Sequence, residues 1–258
     1  MVNFPALSAI SLAAVVVVFG VTFLIGRRIG RYNVVDVTWG LSFVVVAAIA
    51  AALGTGDLRR RLLLLALVSV WGLRLAWHLT VKLRGKGEDP RYEAHLRGDF
   101  STATVLRKIF AVQAAAAWFV SLPLQLSATT GPTPAALLPV LGIGVALWLL
   151  GVFFEAVGDH QLEVFKADPA NRGAIMDRGL WSWTRHPNYF GDACVWWGLW
   201  LVTITGWPAL ATVLSPVLMT YFLVYGTGAR VAEKHMAGRP GFSEYCSRTA
   251  FFVPRPPR

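Results

Sequence analysis

The stretch RHPNYFGD, which begins at Arg185, gathers charged and amide side chains directly before an almost purely apolar run, ACVWWGLWLV. Pro187 suits the first turn of a helix, because its missing N–H would have no partner there. On that helix Asn188 and Asp192 lie four residues apart and share one face. Arg185 and His186 precede them, beside backbone N–H groups that favour anions. This pattern predicts a mixed polar site, with cations for phosphate and an amide and a carboxylate for hydroxyl groups or a carboxamide.

The C-terminal tail repeats this chemistry. Arg230, Glu233 and His235 follow the last apolar segment at spacings that bring them together on a helix. Tyr245 and Arg248 come after a bend rich in Gly and Pro. A merely basic tail needs no Glu, His and Tyr interleaved in this way, so the tail is predicted to join the same site.

Charged residues also interrupt the apolar segments. Asp36 lies in NVVDVTWG and Arg74 in WGLRLAWHL, and Glu155 and Asp159 are four residues apart with Lys166 continuing their face. Charges at membrane depth are costly unless they are paired or face a polar cavity, so each indicates a functional site. Simpler interpretations stay open. Asp36 could be an interfacial carboxylate without a function, and Arg74 could extend to the membrane surface or pair with Asp36. Glu155 and Asp159 could lie at a solvated helix end.

The composition is typical of an integral membrane protein. Hydrophobic residues make up 55% of the 258-residue chain, charged residues only 15%, and the mean hydropathy is +0.55. The 11 Trp residues suit the interfaces of a bilayer. No Lys or Arg precedes the first apolar run, which therefore predicts a permanent span. The two cysteines form no CxxC, and no His/Cys set has metal-ligand spacing, so we expect neither a disulfide framework nor a metal.

The apolar segments predict an all-α, multi-pass membrane protein with seven spans. The predicted spans are 5–26, 34–54, 61–82, 109–128, 134–158, 190–206 and 208–228. Most Lys and Arg residues fall in the loops on one side and in the tail, whereas the other side has only the run Arg59, Arg60 and Arg61. The positive-inside rule then predicts that the N-terminus lies outside and the C-terminus in the cytoplasm.

The net charge of +10 lies largely on the predicted cytoplasmic face. Attraction to anionic lipid headgroups explains much of it. Binding of a polyanionic small molecule from the cytosol is a more specific explanation of this positive charge. Nucleic-acid binding is not expected, since no recognition module is present among the helices.

Three of these motifs together resemble the steroid 5α-reductase superfamily, which includes membrane sterol reductases of the Δ14 type. They are RHPNYFGD, the upstream EAVGDHQLEVFK, and the tail with its YC pair. The resemblance is good over 150–258 and loose before it. It implies a single seven-helix membrane domain, in which 1–130 face a lipid substrate and 131–258 bind NADPH from the cytosolic side.

The resemblance implies roles for these polar residues in an NADPH site. Asp159 matches an acid near the adenosine end, and Arg178 and Arg185 match phosphate ligands. Together with the polar groups described above, the predicted site comprises Arg74, Glu155, Asp159, Lys166, Arg178, Arg185, His186, Asn188, Tyr189, Asp192, Arg230, Glu233, His235, Tyr245 and Arg248.

The chain departs from the family pattern where the proton donor is expected. Val35-Asp36 replaces a Gln-Glu pair, and Trp71, which has no hydroxyl, stands at the position of the catalytic tyrosine. Asp36 is then the one carboxylic acid of the first three predicted spans. We expect it to donate a proton itself, or, as an anion paired with Arg74, to orient a tyrosine such as Tyr92.

The expected reaction is NADPH-dependent reduction of the C=C bond of a membrane-soluble α,β-unsaturated ketone, such as a 3-oxo-Δ4-steroid, which enters from the bilayer. A related R-H-P-x-Y-x-G motif occurs in membrane methyltransferases of the isoprenylcysteine type. S-adenosylmethionine has no phosphate and needs fewer cations, so the charges favour NADPH. A Δ14-type reductase, a lipid methyltransferase and a non-catalytic channel or transporter are the alternatives. No G-x-G-x-x-G is present for a Rossmann domain.

Overall fold

The computed structural model describes residues 2–257, which form helices joined by short turns. The helices are α1 Phe4–Ile29, α2 Val35–Leu53, α3 Leu58–Leu83, α4 Pro90–Leu96, α5 Thr102–Val105, α6 Val112–Val120, α7 Leu122–Ser127, α8 Leu138–Ala167, α9 Leu180–Trp183, α10 Pro187–Thr203, α11 Trp207–Leu210, α12 Leu214–Tyr221, α13 Ala229–Met236 and α14 Phe242–Arg248. Within the described range, β-type pairing is limited to one parallel bridge between Thr184 and Ala250. The prediction of an all-α protein is confirmed.

Six stretches of the described chain are long and apolar enough to cross a membrane. They are Phe4–Ile29, Val35–Leu53, Leu58–Leu83, Thr102–Val120, Ala135–Ala167 and Trp207–Met236. The predicted span 190–206 instead forms α10, which has 17 residues. At 1.5 Å per residue such a helix is about 26 Å long, less than the hydrocarbon thickness of about 30 Å. The seven-span count and the orientation of the termini therefore stay predictions.

The chain folds into two compact units. Unit 1 comprises the described residues up to Leu138 together with Thr203–Thr212, and unit 2 comprises Pro139–Val202 together with the described residues from Val213 onward. In unit 1, α2 and α3 approach closely at Gly40 and Gly72. A Cβ atom on Gly40 would lie 2.6 Å from the carbonyl oxygen of Gly72.

Trp71 belongs to the apolar core of unit 1. Its side chain is fully buried on α3, and its ring centroid lies 5.8 Å from that of Phe43 on α2. The tryptophan at the position where the resemblance implied a catalytic tyrosine therefore fills space between two helices. This packing explains why the position holds a large apolar ring.

Arg60, expected in an outer loop, is buried in the first turn of α3, with 2% of its surface exposed. Its guanidinium group donates hydrogen bonds to the last residue of α7 and to the segment between α7 and α8. The acceptors are Ser127 Oγ at 2.8 Å, the carbonyl oxygens of Thr130 and Gly131 at 2.9 Å each, and Thr133 Oγ1 at 3.0 Å. One arginine thus fixes the path of that segment, because a carbonyl oxygen without a partner inside a protein is costly.

In unit 2, α8 and α10 pack through a line of small residues. Glycines recur at every seventh position of α8 and approach α10 closely, two of them against glycines and one against a proline, in the pairs Gly144–Gly198, Gly151–Gly191 and Gly158–Pro187. Small residues at such spacing let two helix backbones approach closely, as in many membrane helix pairs. This contact sets the relative position of the polar residues that both helices carry.

Candidate active site

The first group of candidate site residues lies in unit 1, where α4 meets the first turn of α2. The Tyr92 hydroxyl group donates a hydrogen bond to Asp36 Oδ1 at 2.5 Å. The side-chain amide of Gln113 donates to the Tyr92 oxygen at 3.2 Å. The structure thus brings together Asp36 and Tyr92, the two residues predicted from the sequence to be catalytic.

The surroundings of Tyr92 keep its phenol protonated. Burial raises the pKa of Tyr92 well above the ordinary value, and the charge and hydrogen bond of Asp36 raise it further. At neutral pH the side chain is therefore an O–H group rather than a phenolate. A phenol in this state is able to donate a hydrogen bond or a proton.

Arg91 was not nominated from the sequence, although it lies 3.8 Å from Asp36 Oδ2 through Nη2. It follows directly on EDP and precedes Tyr92. Its place in the same short motif as Tyr92 is the sequence signal that could have identified it as a candidate. Arg74, which was expected to pair with Asp36 or to bind the cofactor, lies on α3 in unit 1. The other predicted cofactor residues belong to unit 2, so the structure does not group Arg74 with them in one unit.

The second group lies in unit 2, between α8 and α10. Asp159, Glu155 and Asp192 are all buried. The side-chain amide of Asn188 donates to Asp159 Oδ1 at 3.1 Å. Acidic and amide groups from two helices are therefore concentrated near the first turns of α10.

A charged centre adjoins this group at the start of α10. Glu233 Oε1 lies 2.6 Å from Arg185 Nε and 3.3 Å from His186 Nε2. Burial lowers the pKa of His186 to about 4, while the nearby Glu233 opposes that effect. His186 is therefore neutral at physiological pH, and the positive charge of this centre resides on Arg185. The Tyr189 ring stacks on His186 with centroids 5.7 Å apart.

Arg185 also holds the C-terminal tail. Its Nη1 donates to the carbonyl oxygens of Cys246 at 3.1 Å and Thr249 at 2.8 Å. Its backbone N–H donates to the Ala250 oxygen at 2.9 Å. The sequence indicated a phosphate ligand at this position, whereas in the structure two of the three guanidinium nitrogens, Nε and Nη1, bind protein groups.

The other predicted tail residues have contacts of different kinds. The Tyr245 hydroxyl donates to the Trp181 carbonyl oxygen at 2.7 Å, and burial raises its pKa, so Tyr245 supports the fold. Arg248 is ion-paired with Asp177. His235 Nδ1 lies 2.8 Å from the carbonyl oxygen of Val231 in its own helix.

Arg178 and Arg230 are exposed cations of unit 2 that form no ion pair with the described residues. The Arg230 guanidinium lies 4.5 Å from the Phe251 ring centroid and 5.9 Å from that of Tyr225. Stacking on aromatic rings leaves the N–H edge of a guanidinium open to bidentate binding of phosphate. Exposed Lys166, on α8, is a further cation of this unit.

Arg185→Ala is expected to loosen the tail, because it removes the ion pair and two hydrogen bonds that fasten it. Trypsin should cut the tail at least about tenfold faster than in the wild type. This factor corresponds to a loss of about 1.4 kcal/mol in the free energy that keeps the tail bound. The matched control is Arg178→Ala, which also removes one arginine from unit 2. It should leave cleavage of the tail unchanged, and equal rates in the two variants would contradict the tail-holding role.

Comparison with known proteins gives a family and one distant relative. The family model "Protein of unknown function (DUF1295)" matches residues 22–249. The probable O-methyltransferase ustE of Ustilaginoidea virens is 27% identical over 117 residues, which are 45% of this chain and 36% of that protein. The chain therefore matches about a third of the length of that relative. No solved structure gives a significant match.

Proposed function

We propose that the protein is an NADPH-dependent oxidoreductase that acts on a C=C bond. The chain belongs to DUF1295, a steroid 5α-reductase-like family of membrane proteins. The proposed substrate is a membrane-soluble α,β-unsaturated ketone, such as a 3-oxo-Δ4-steroid or a similar lipid. The observation that carries the proposal is the hydrogen bond between Tyr92 and Asp36, because reduction of an enone requires a proton donor beside the carbonyl oxygen.

Reduction of an enone at its β-carbon places negative charge on the carbonyl oxygen, which a donor in an apolar site stabilises strongly. Tyr92 suits this task, because its raised pKa keeps the O–H intact at neutral pH. When Asp36 carries a proton, its carboxyl group donates to the Tyr92 oxygen and the phenol O–H turns to the substrate. Tyr92 then gives its proton to the enolate oxygen and takes the proton of Asp36. The resulting enol tautomerises to the saturated ketone.

NADPH supplies the hydride when it is bound. The side chains of unit 2 fit such a dinucleotide, because buried Asp159 and Asp192, with Asn188, are suited to accept and donate hydrogen bonds to ribose hydroxyls. Arg178 and Arg230 would hold phosphate, since neither is neutralised by a carboxylate among the described residues. We propose that this site faces the cytoplasm, where NADPH is present, and that the lipid enters from the bilayer.

Methyl transfer from S-adenosylmethionine to a lipid is the second candidate. One observation favours it, the similarity to a protein named as a probable O-methyltransferase. Buried carboxylates such as Asp159 and Asp192 would suit the positive sulfonium and ammonium groups of that cofactor. A Δ14-type sterol reductase is the remaining alternative among the reductases.

Binding of NADPH, NADH and S-adenosylmethionine to the purified protein tests these candidates against each other. NADPH is expected to bind at least about tenfold more tightly than NADH, because a charge-assisted hydrogen bond to the 2′-phosphate contributes about 1.5–3 kcal/mol. Titration calorimetry in detergent measures all three ligands under the same conditions. Preference for S-adenosylmethionine would replace reduction by methyl transfer. Binding of none of the three would favour a channel or transporter.

A further inference from the structure

The loop between α3 and α5 determines where Tyr92 lies. Tyr92 is on α4, a helix of seven residues that is too short to be stable by itself. Contacts of the loop with other parts of unit 1 must therefore set the position of its hydroxyl group. Glu88, four residues before Tyr92, makes several of those contacts.

Glu88 binds the start of the helix that carries Asp36. Its Oε1 accepts a hydrogen bond from the Asn33 backbone N–H at 3.0 Å, and its Oε2 accepts from the backbone N–H of Tyr32. The N-cap residue of α2, Val34, offers no side-chain hydrogen bond. A carboxylate from the loop thus binds the two backbone N–H groups that directly precede the N-cap of α2, near a helix N-terminus, where negative charge is favoured.

Further bonds fasten the same loop to the same turn. Asn33 Nδ2 donates to the carbonyl oxygen of Gly87 at 2.8 Å, and Arg31 donates to the carbonyl oxygens of Leu83, at 3.2 Å, and Lys86. Glu88 Oε1 also accepts from the N–H of Asp89 at 3.0 Å. Glu88 is therefore the charged member of a set of bonds that ties the loop to the segment just before Asp36.

We propose that Glu88 is a positioning residue, which holds the Tyr92 hydroxyl group on Asp36 by binding the backbone N–H groups that precede Asp36. It touches neither side chain of the pair and acts through the two backbone segments that carry them. The inference rests on the proposed proton-donating role of Tyr92. Its test reads the phenol directly and requires neither substrate nor cofactor.

The test follows the titration of Tyr92 by NMR in protein labelled with ¹³Cζ-tyrosine. The chain has six tyrosines, so Tyr92→Phe identifies the resonance. In Glu88→Ala, Tyr92 should move away from Asp36 and from its buried site. Its pKa should then fall from the raised wild-type value toward the ordinary value of about 10. An unchanged titration of Tyr92 in a folded Glu88→Ala protein would overturn the proposal.

Two further variants complete the experiment. Both carboxylate oxygens of Glu88 accept from N–H groups, so Glu88→Gln must turn its NH2 group toward a donor and lose at least one bond. It should lower the Tyr92 pKa in the same direction, and it decides the question if Glu88→Ala does not fold. Glu93→Gln is the matched control, since Glu93 is an exposed acid of α4 without a side-chain partner among the described residues. An equal effect in Glu93→Gln would also contradict the proposal.

The same variants separate this inference from the proposed function. If wild-type protein oxidises no NADPH with any enone but Glu88→Ala still alters the Tyr92 titration, the positioning role stands and the reductase function fails. If the wild type is an active reductase and the titration is unchanged, the reverse holds. In an active enzyme, Glu88→Ala should lower turnover by a factor similar to that of Tyr92→Phe, and Glu93→Gln should leave it unchanged.

Discussion

Asp36→Asn is expected to lower turnover of an enone substrate at least about 100-fold, the low end for loss of acid–base catalysis. The variant keeps an oxygen that accepts the hydrogen bond of Tyr92, so the local fold should persist. It lacks the proton that Asp36 would pass to the phenol oxygen. NADPH affinity should stay close to that of the wild type, because the predicted phosphate and ribose ligands belong to unit 2.

Single-turnover oxidation of NADPH, with cofactor affinity determined in parallel, measures both effects. Tyr92→Phe should reduce the rate to a similar extent, and the double variant should be no slower than the slower single variant, because residues that act as a unit are not additive. Equal rates in Asp36→Asn and wild type would identify Asp36 as an idle interfacial carboxylate. Loss of NADPH affinity would instead assign Asp36 to the cofactor site.

The pairing of Asp36 with Tyr92 was accessible from the sequence because few alternatives existed. Asp36 is the one acid in the first three predicted spans, and Tyr92, in the EDPRY motif, is a tyrosine in the basic loop that follows them. The resemblance added the expectation of an acid at the start of the second span. Neither source gave the geometry, which depends on bonds such as that between Glu88 and the Asn33 N–H, 55 residues apart in sequence.

The contacts of Arg185 with the tail could not be predicted from the sequence, because they too join residues that are distant in sequence. An arginine beside a helix N-terminus suits a phosphate, and the local sequence contains nothing that excludes this role. Its actual partners lie 48 to 65 residues further along the chain. The arginines at the start of α3 show the same limit, because the sequence does not reveal that Arg60 is buried while Arg59 is exposed.

The contact between α8 and α10 also has a signal in the sequence. Glycine recurs at 144, 151 and 158, and again at 191 and 198. A seven-residue spacing keeps such positions on one face of a helix. The spacing alone does not show which helix these glycines face, but the pairs they form fix the distance between Asp159 on α8 and Asn188 on α10.

Gly191→Ala should therefore destabilise unit 2, by about 1–3 kcal/mol or more, the usual cost of overpacking. Its added Cβ would lie 2.5 Å from the Gly151 carbonyl oxygen and 2.5 Å from the Glu155 backbone nitrogen. These are backbone atoms of a helix, so the strain is relieved only if α10 moves away from α8. That movement would also lengthen the bond between Asn188 and Asp159 and weaken NADPH binding.

Gly142→Ala is the matched control, because Gly142 is an exposed position of α8 where an added Cβ meets nothing within 4 Å. It should stabilise the protein by up to about 1 kcal/mol, since alanine favours a helix more than glycine does. Thermal unfolding of the two variants in the same detergent measures effects of opposite sign. If Gly191→Ala unfolds at or above the wild-type temperature, α8 and α10 are not held at the spacing that brings Asn188 to Asp159. The proposed hydroxyl-binding group of unit 2 would then lose its structural basis.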